Sequence, residues 1–202
     1  MLRLTGFLLA LLPLITYAGN QVYEPLSASV QSRMQSSISD EATPYLAFDS
    51  EAEARAWIAA MSRKIERRMP NRRAREEFLF TVHYEAKRAG LDPQLVLGLI
   101  QVESAFRKYA VSSAGARGYM QVMPFWVKQI GQPGQNLFHL RTNLRYGCVI
   151  LKHYLDIERG NLFRALGRYN GSLGQAAYPN TVLRALLDNW QYPVQVAGRF
   201  QR

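Results

Sequence analysis

The sequence has one cysteine, Cys148, which excludes an intramolecular disulfide framework. Its 3 histidines are scattered, at His83, His139 and His153, and no HExxH or CxxC spacing is present, so we expect no metal site. No serine lies in the G-x-S-x-G context of a serine hydrolase. The chain is therefore expected to be stabilised by packing and to work without a metal ion or a cofactor.

No apolar run is long enough for a typical membrane-spanning helix, which needs about 20 residues. The longest run, residues 4–15, follows Arg3 and precedes the small residues Thr16 and Ala18. These features are typical of a secretory signal peptide, which we expect to cover residues 1–18 and to be cleaved after Ala18. An uncleaved anchor is the alternative. With so little cysteine, the pattern favours a soluble exported protein of a bacterial periplasm or cell envelope.

Acidic residues are scarce, at 15 Asp and Glu against 25 Lys and Arg, which gives a formal net charge of +10. Residues 63–75 carry seven basic side chains, interrupted by Glu66. They predict either a solvated helix face or a surface for anionic wall polymer or phospholipid headgroups. Nucleic acid is not an expected partner, because export removes the usual target.

Strand signals are nearly absent, and apolar residues recur at helical spacing from residue 51 onward. Residues 19–50 are rich in Ser, Gln and Ala without a sustained period, which predicts a linker or a loosely packed arm. Residues 51–202 are expected to form one all-α domain. Its predicted helices cover residues 51–69, 72–89, 93–106, 143–157, 162–169 and 180–187, and Asp92 and Pro93 are expected to begin the third.

Glu103 is the only acid between Asp92 and Asp156, an interval rich in Lys and Arg. On its predicted helix it lies four residues after Leu99 and three after Ile100, which places it along the apolar face. Loss of hydration there should raise the pKa of the carboxyl group and suit a general acid. From periodicity alone, the favoured interpretation is instead a glutamate at the helix end that pairs with Arg107, its i+4 neighbour.

Residues 103–124 read ESAFRKYAVSSAGARGYMQVMP, which resembles the catalytic signature of the soluble lytic transglycosylases and the related goose-type lysozymes. Two further blocks follow in the order found in that family. One runs from Asn143 through Gly147 to Leu151, and the other covers residues 165–171, ALGRYNG. The resemblance covers about residues 75–187.

The resemblance implies a lysozyme-like helical domain with a glycan-binding groove and an enzyme that cleaves the MurNAc–GlcNAc bond of peptidoglycan. Glu103 would be the catalytic acid and then the base, leaving 1,6-anhydromuramyl ends. Five positions match residues that line the sugar groove: Ser112, Gln121, Met123, Tyr169 and Asn170. The hydroxyl of Tyr169 is expected to reach Glu103. The alternatives are a peptidoglycan hydrolase and a non-catalytic module that binds the wall or a secretion apparatus.

Overall fold

The computed structural model describes residues 20–39, 48 and 50–192. The predicted signal peptide, residues 1–18, lies outside them. Within the described part of the chain the structure is helical and contains no strand, which confirms the predicted all-α class. Its α-helices are α1 Ala28–Ile38, α2 Glu51–Ile65, α3 Arg72–Arg88, α4 Pro93–Ser104, α5 Phe125–Ile130, α6 Leu140–Ile157, α7 Leu162–Asn170 and α8 Ala177–Ala185, and a π-helical turn, Leu186–Trp190, follows α8.

Polar caps explain why several helices begin where the sequence predicts. The side chains of Ser50, Asn71 and Asn161 accept hydrogen bonds from backbone N–H groups in the first turns of α2, α3 and α7. Asp92 accepts the N–H of Gln94 at 2.8 Å, and Pro93 takes the first helical position of α4. These caps confirm the predicted starts of four helices.

Several predicted helix bounds are wrong. Helix α2 ends at Ile65 rather than at residue 69, and α4 ends at Ser104 because Ala105 and Phe106 both adopt positive φ, 49° and 65°. Helix α6 begins at Leu140, three residues before its predicted start. Helix α8 begins at Ala177, also three residues before its predicted start. Pro179 lies in its first turn, where backbone N–H groups have no helical partner and proline is tolerated.

The prediction of a linker or loosely packed arm is wrong for residues 20–39. Residues 28–38 form α1, whose side chains of Met34 and Ile38 are buried in the core. Helix α1 packs against α5 and α6. The sequence does not predict this helix, because only one narrow face of it is buried and its apolar residues are too few to form a clear period. The rest of the predicted arm, residues 40–47 and 49, lies outside the described residues.

Helices α3, α4, α6, α7 and α8 enclose the core, with α3 against α6, α6 against α7, and α4 against α8. Glu85 is buried between α3 and α6, where Arg145 lies 3.0 Å away and Arg88 lies 3.6 Å away. Cys148 is fully buried on α6, as expected of a small core residue. No helix in the described part of the chain is both long and apolar enough to cross a membrane.

Candidate active site

Glu103 lies in the last turn of α4 and is 3% exposed. The helix stops directly after it, because Ala105 adopts the left-handed conformation and donates its backbone N–H to the carbonyl of Gln101. Two consecutive non-glycine residues with positive φ are uncommon, and such strain clusters at functional sites. The turn places the carboxyl group at the junction between the helix and the loop that follows.

Tyr178 of α8 donates a hydrogen bond from its hydroxyl to Oε1 of Glu103. Burial raises the pKa of Tyr178 well above its usual value, and the charge of Glu103 and this hydrogen bond raise it further. The phenol therefore keeps its proton and remains a donor. Tyr178 is not among the residues predicted from the sequence, and it lies before the predicted start of its helix at residue 180.

A cavity of about 230 Å³ opens beside Glu103. Glu103 is the only acid among the described residues that line it, and Arg107 is a neighbouring cation. Arg107 directs its Nε to the carbonyl of Ser104 at 3.0 Å, which anchors the guanidinium at the helix end. The lining residues are Val102, Glu103, Ser104, Ala105, Arg107, Ala110, Val111, Ser112, Ser113 and Gln121. This cavity brings together three predicted site residues: Glu103, Ser112 and Gln121.

Ser112 and Gln121 form part of the loop itself. Ser112 donates its backbone N–H to the carbonyl of Ala116, and its Oγ accepts the Ala116 N–H, both at 3.1 Å. Gln121 adopts φ 49°, and its Nε2 donates to the carbonyls of Ala110 and Gly118 at 3.1 and 2.9 Å. Both N–H groups of this amide are thus used within the protein, which leaves its oxygen as the atom suited to a ligand.

Asn143 of α6 holds the other side of the loop. Its Oδ1 accepts the N–H of Met120 at 2.8 Å, and its Nδ2 donates to the carbonyls of Arg117 and Leu137, also at 2.8 Å. Gly118 must be glycine, because a Cβ there would lie 2.4 Å from Nδ2 of Asn143 and its φ is 77°. The motif at residues 103–124 and the motif that begins at Asn143 are thus joined by hydrogen bonds into one unit.

Met123, Tyr169 and Asn170 are not among the described residues that line the cavity. Tyr169 is fully buried, and its hydroxyl donates to the carbonyl of Met120 at 2.8 Å. The hydroxyl of Tyr169 thus donates to Met120 and not to Glu103 as expected, whereas Tyr178 is a donor to Glu103. Burial raises the pKa of Tyr169 well above its usual value, and the charge of Glu103 adds to this rise. Asn170 is buried at the end of α7.

The other acids that folding might have brought to the site each have a structural partner or an exposed position. Glu85 pairs with Arg145 and Arg88, Asp156 with Lys152, and Glu158 with Arg164 and Arg168, while Asp92 caps α4 and Asp188 is exposed. Glu103 is thus the one carboxyl group for which the described structure provides both a cavity and a buried phenol donor.

Comparison with known proteins gives matches across this region. The family model "Transglycosylase SLT domain" matches residues 80–181. Membrane-bound lytic murein transglycosylase C of Mannheimia succiniciproducens is 33% identical over 147 residues, which cover 65% of this chain and 39% of the relative. The transglycosylase of Enterobacteria phage PRD1 is 32% identical over 111 residues, 52% of this chain and 41% of the relative.

A solved structure of an inactive mutant of the lytic transglycosylase Slt from Pseudomonas aeruginosa matches with 26% identity and a TM-score of 0.45. The match covers 60% of this chain and 22% of that one. This chain spans about two fifths of the length of the two relatives named above. The matched residues 80–181 make up about half of the chain and include Glu103, the loop of the cavity and Tyr178. The chain therefore belongs to the transglycosylase SLT domain family.

Proposed function

We propose that this protein is a peptidoglycan lytic transglycosylase in which Glu103 acts first as acid and then as base. The observation that carries the proposal is the position of Glu103, buried at the end of α4 beside a cavity, with the hydroxyl of Tyr178 as donor to its Oε1. Membership of the transglycosylase SLT domain family and the names of the relatives support the same chemistry.

In the first step, the protonated carboxyl group of Glu103 donates its proton to the glycosidic oxygen between MurNAc and GlcNAc, and the bond from C1 to that oxygen breaks. Burial favours the neutral acid before this step. The hydrogen bond from Tyr178 then stabilises the carboxylate that the step produces. Burial thus favours the protonated form of Glu103, and the hydrogen bond from Tyr178 stabilises its carboxylate form.

In the second step, the carboxylate of Glu103 accepts the proton of the C6 hydroxyl as its oxygen attacks C1 of the same MurNAc. The product is a 1,6-anhydromuramyl end, and Glu103 regains its proton. An intramolecular nucleophile reacts at a high effective concentration and needs no second carboxylate to activate water. The cavity supports this route over hydrolysis, because Glu103 is the only acid among its described lining residues.

The assignment of Glu103 is tested by Glu103→Gln, which keeps the shape of the side chain and removes the transferable proton. We expect a folded protein whose turnover of purified peptidoglycan falls by about 100-fold or more, the usual contribution of general acid–base catalysis. Asp156→Asn is the matched control, since Asp156 is an exposed acid paired with Lys152. Near-normal lysis by a folded Glu103→Gln protein would refute the assignment.

We also propose that the protein is exported to the periplasm or cell envelope and that residues 1–18 are removed. The charged start, the apolar run and Ala18 support cleavage at this point. The N-terminal sequence of the protein isolated from the envelope fraction is expected to begin at Gly19. A protein that begins at Met1 or Leu2 would show that the segment is not cleaved after Ala18, and would favour an uncleaved anchor.

The basic segment of residues 63–75, which runs from the end of α2 to the start of α3, supports an additional contact with anionic wall polymer or a membrane surface. Its exposed basic residues are Arg63, Lys64, Arg67, Arg68, Arg72 and Arg73, whereas Arg75 is buried and donates to Ser62 and to the carbonyls of Met69 and Pro70. The test is salt-dependent binding to anionic vesicles and to wall polymer. Arg67→Gln with Arg68→Gln should weaken the binding, while Arg159→Gln, which changes an exposed cation elsewhere, should not.

A further inference from the structure

Residues 20–26 lie against the loop that carries the site, although they precede the family-matched region by more than fifty residues. The central contact is the side chain of Gln21, which is 4% exposed. Its Oε1 accepts the backbone N–H of Met123 and the indole N–H of Trp126, each at 3.1 Å. Its Nε2 donates to the carbonyl of Gln121 at 3.4 Å.

Gln21 also opposes the rise in the pKa of Tyr169 that burial causes. One amide thus bonds to two residues expected to form the sugar groove, Gln121 and Met123, and influences a third, Tyr169. Gln121 adopts φ 49°, a conformation that its surroundings must hold in place. The side chain of Gln21 bonds to the backbone of Gln121 and of Met123, on either side of Val122, and so holds this stretch of backbone in place.

The segment that carries Gln21 is fixed along its length. The ring of Tyr23 packs edge-on against Phe125 with centroids 5.5 Å apart, and Gln129 donates to the carbonyl of Glu24 at 2.9 Å. The carbonyl oxygen of Asn20 approaches Gly171 so closely that a Cβ at position 171 would lie 2.0 Å from it. Gly171 therefore leaves room for this segment directly after Asn170.

The far end of α1 is held by the half-buried Arg88 and the buried Arg145. Arg88 donates to the carbonyls of Ser37 and Ser39, both at 2.7 Å, and Arg145 donates to that of Ile38 at 3.1 Å. Both arginines pair with the buried Glu85. Residues 20–39, which we call the strap, are thus held at one end by the contacts of Gln21 and at the other by the contacts at the end of α1.

We propose that Gln21 is a positioning residue of the groove, which sets the backbone of Gln121 and Met123, and that residues 20–26 are a working part of the site. This inference rests on the proposed function in one respect: it takes the groove to be the place where the sugar of peptidoglycan binds. Gln21 touches no reacting atom. It acts through the two backbone positions to which its amide is bonded.

The test uses Gln21→Met in the mature protein, since methionine keeps the length of the side chain and removes the hydrogen bonds made by its amide. The matched control is Gln31→Met on the same strap, which removes a bond from Gln31 to the carbonyl of Gln129 at 2.6 Å. The first readout needs no substrate. Hydrogen exchange of the Met123 amide should speed up by about fivefold or more in Gln21→Met, and the Trp126 indole resonance should shift, while Gln31→Met leaves both unchanged.

The second readout is the split between kcat and KM on soluble glycan strands. We expect kcat/KM of Gln21→Met to fall by roughly tenfold or more, mainly through KM, with the pH profile of kcat unchanged because Glu103 and Tyr178 are untouched. Unchanged exchange at Met123, or equal losses in both variants, would overturn the positioning role. Faster exchange in Gln21→Met, together with a wild-type protein that does not cleave peptidoglycan, would instead refute the proposed function and keep the structural part of the inference.

Discussion

The hydroxyl of Tyr178 donates to Oε1 of Glu103 across a separation of 75 residues. The contact exists because α8 packs on α4, with the first turn of one helix beside the last turn of the other. Both side chains are almost fully buried, at 4% and 3% exposed. A hydrogen bond to an ionised group is stronger than one between neutral partners, so the bond from Tyr178 should matter most when Glu103 is a carboxylate.

Tyr178→Phe removes this donor and keeps the ring. We expect kcat to fall by about 10- to 100-fold, the factor that corresponds to losing a hydrogen bond to a charged group. Tyr146→Phe is the matched control, because its hydroxyl donates to Gln135 in the loop before α6. Steady-state kinetics on glycan strands, with circular dichroism to verify folding, make the comparison. Equal activity of Tyr178→Phe and wild type would remove Tyr178 from the site.

Tyr169→Phe removes a hydroxyl that bonds to the carbonyl of Met120 under the loop. We expect a smaller loss of activity than for Tyr178→Phe, together with a loss of about 0.5–1.5 kcal/mol in the free energy of unfolding, since a buried acceptor loses its partner. Urea denaturation and kinetics measure the two effects. Unchanged activity would leave Tyr169 as a packing residue only.

His83 should make the protein sensitive to acid. It is 4% exposed and stacks on Phe48 with ring centroids 3.7 Å apart, and burial, assisted by the charge of Lys87, lowers its pKa from 6.5 to about 4. Between these two values the unfolded chain binds a proton that the folded protein does not bind. Stability from this group is therefore fully present above its unfolded pKa of 6.5 and is lost as the pH falls toward 4.

His83→Phe keeps a ring against Phe48 and removes the titration. We expect the decrease in Tm between about pH 7 and pH 5 to be smaller in this variant than in wild type. His139→Gln, which changes an exposed histidine, should keep the wild-type decrease. An identical pH dependence in His83→Phe and wild type would contradict the buried, neutral state of His83.

Cys148→Ala tests the interpretation of the single thiol as part of the core. Burial raises the pKa of this thiol well above its usual value, so it is a poor nucleophile. We expect full catalytic activity and a loss of roughly 1 kcal/mol of stability from the smaller side chain. Loss of activity in a folded, stable variant would assign the thiol a role in the chemistry.

Local signals in the sequence predicted much of the helical framework. Asp92 and Pro93 determined the start of α4, and the apolar positions around Glu103 predicted its burial correctly. The end of α4 could not be predicted, because the left-handed turn at Ala105 and Phe106 is formed by non-glycine residues that tertiary contacts hold in place.

The two residues that the sequence analysis missed depend on long-range contacts. Tyr178 contacts Glu103 only after α8 packs on α4, and Gln21 meets Met123 across a separation of 102 residues. A polar residue in a stretch without apolar period carries no local sign that it will be buried. Asn143 was found as a motif residue, but its action as a clamp on Met120 became clear only from the structure.

The product of the reaction tests the central claim most directly. Peptidoglycan digested by the purified protein in water enriched in heavy oxygen is analysed by mass spectrometry of the released muropeptides. With Glu103 as the single acid and base and the C6 hydroxyl as nucleophile, we predict 1,6-anhydromuramyl ends that contain no solvent oxygen. Reducing muramic acid ends that carry solvent oxygen would contradict this account and identify the protein as a hydrolase.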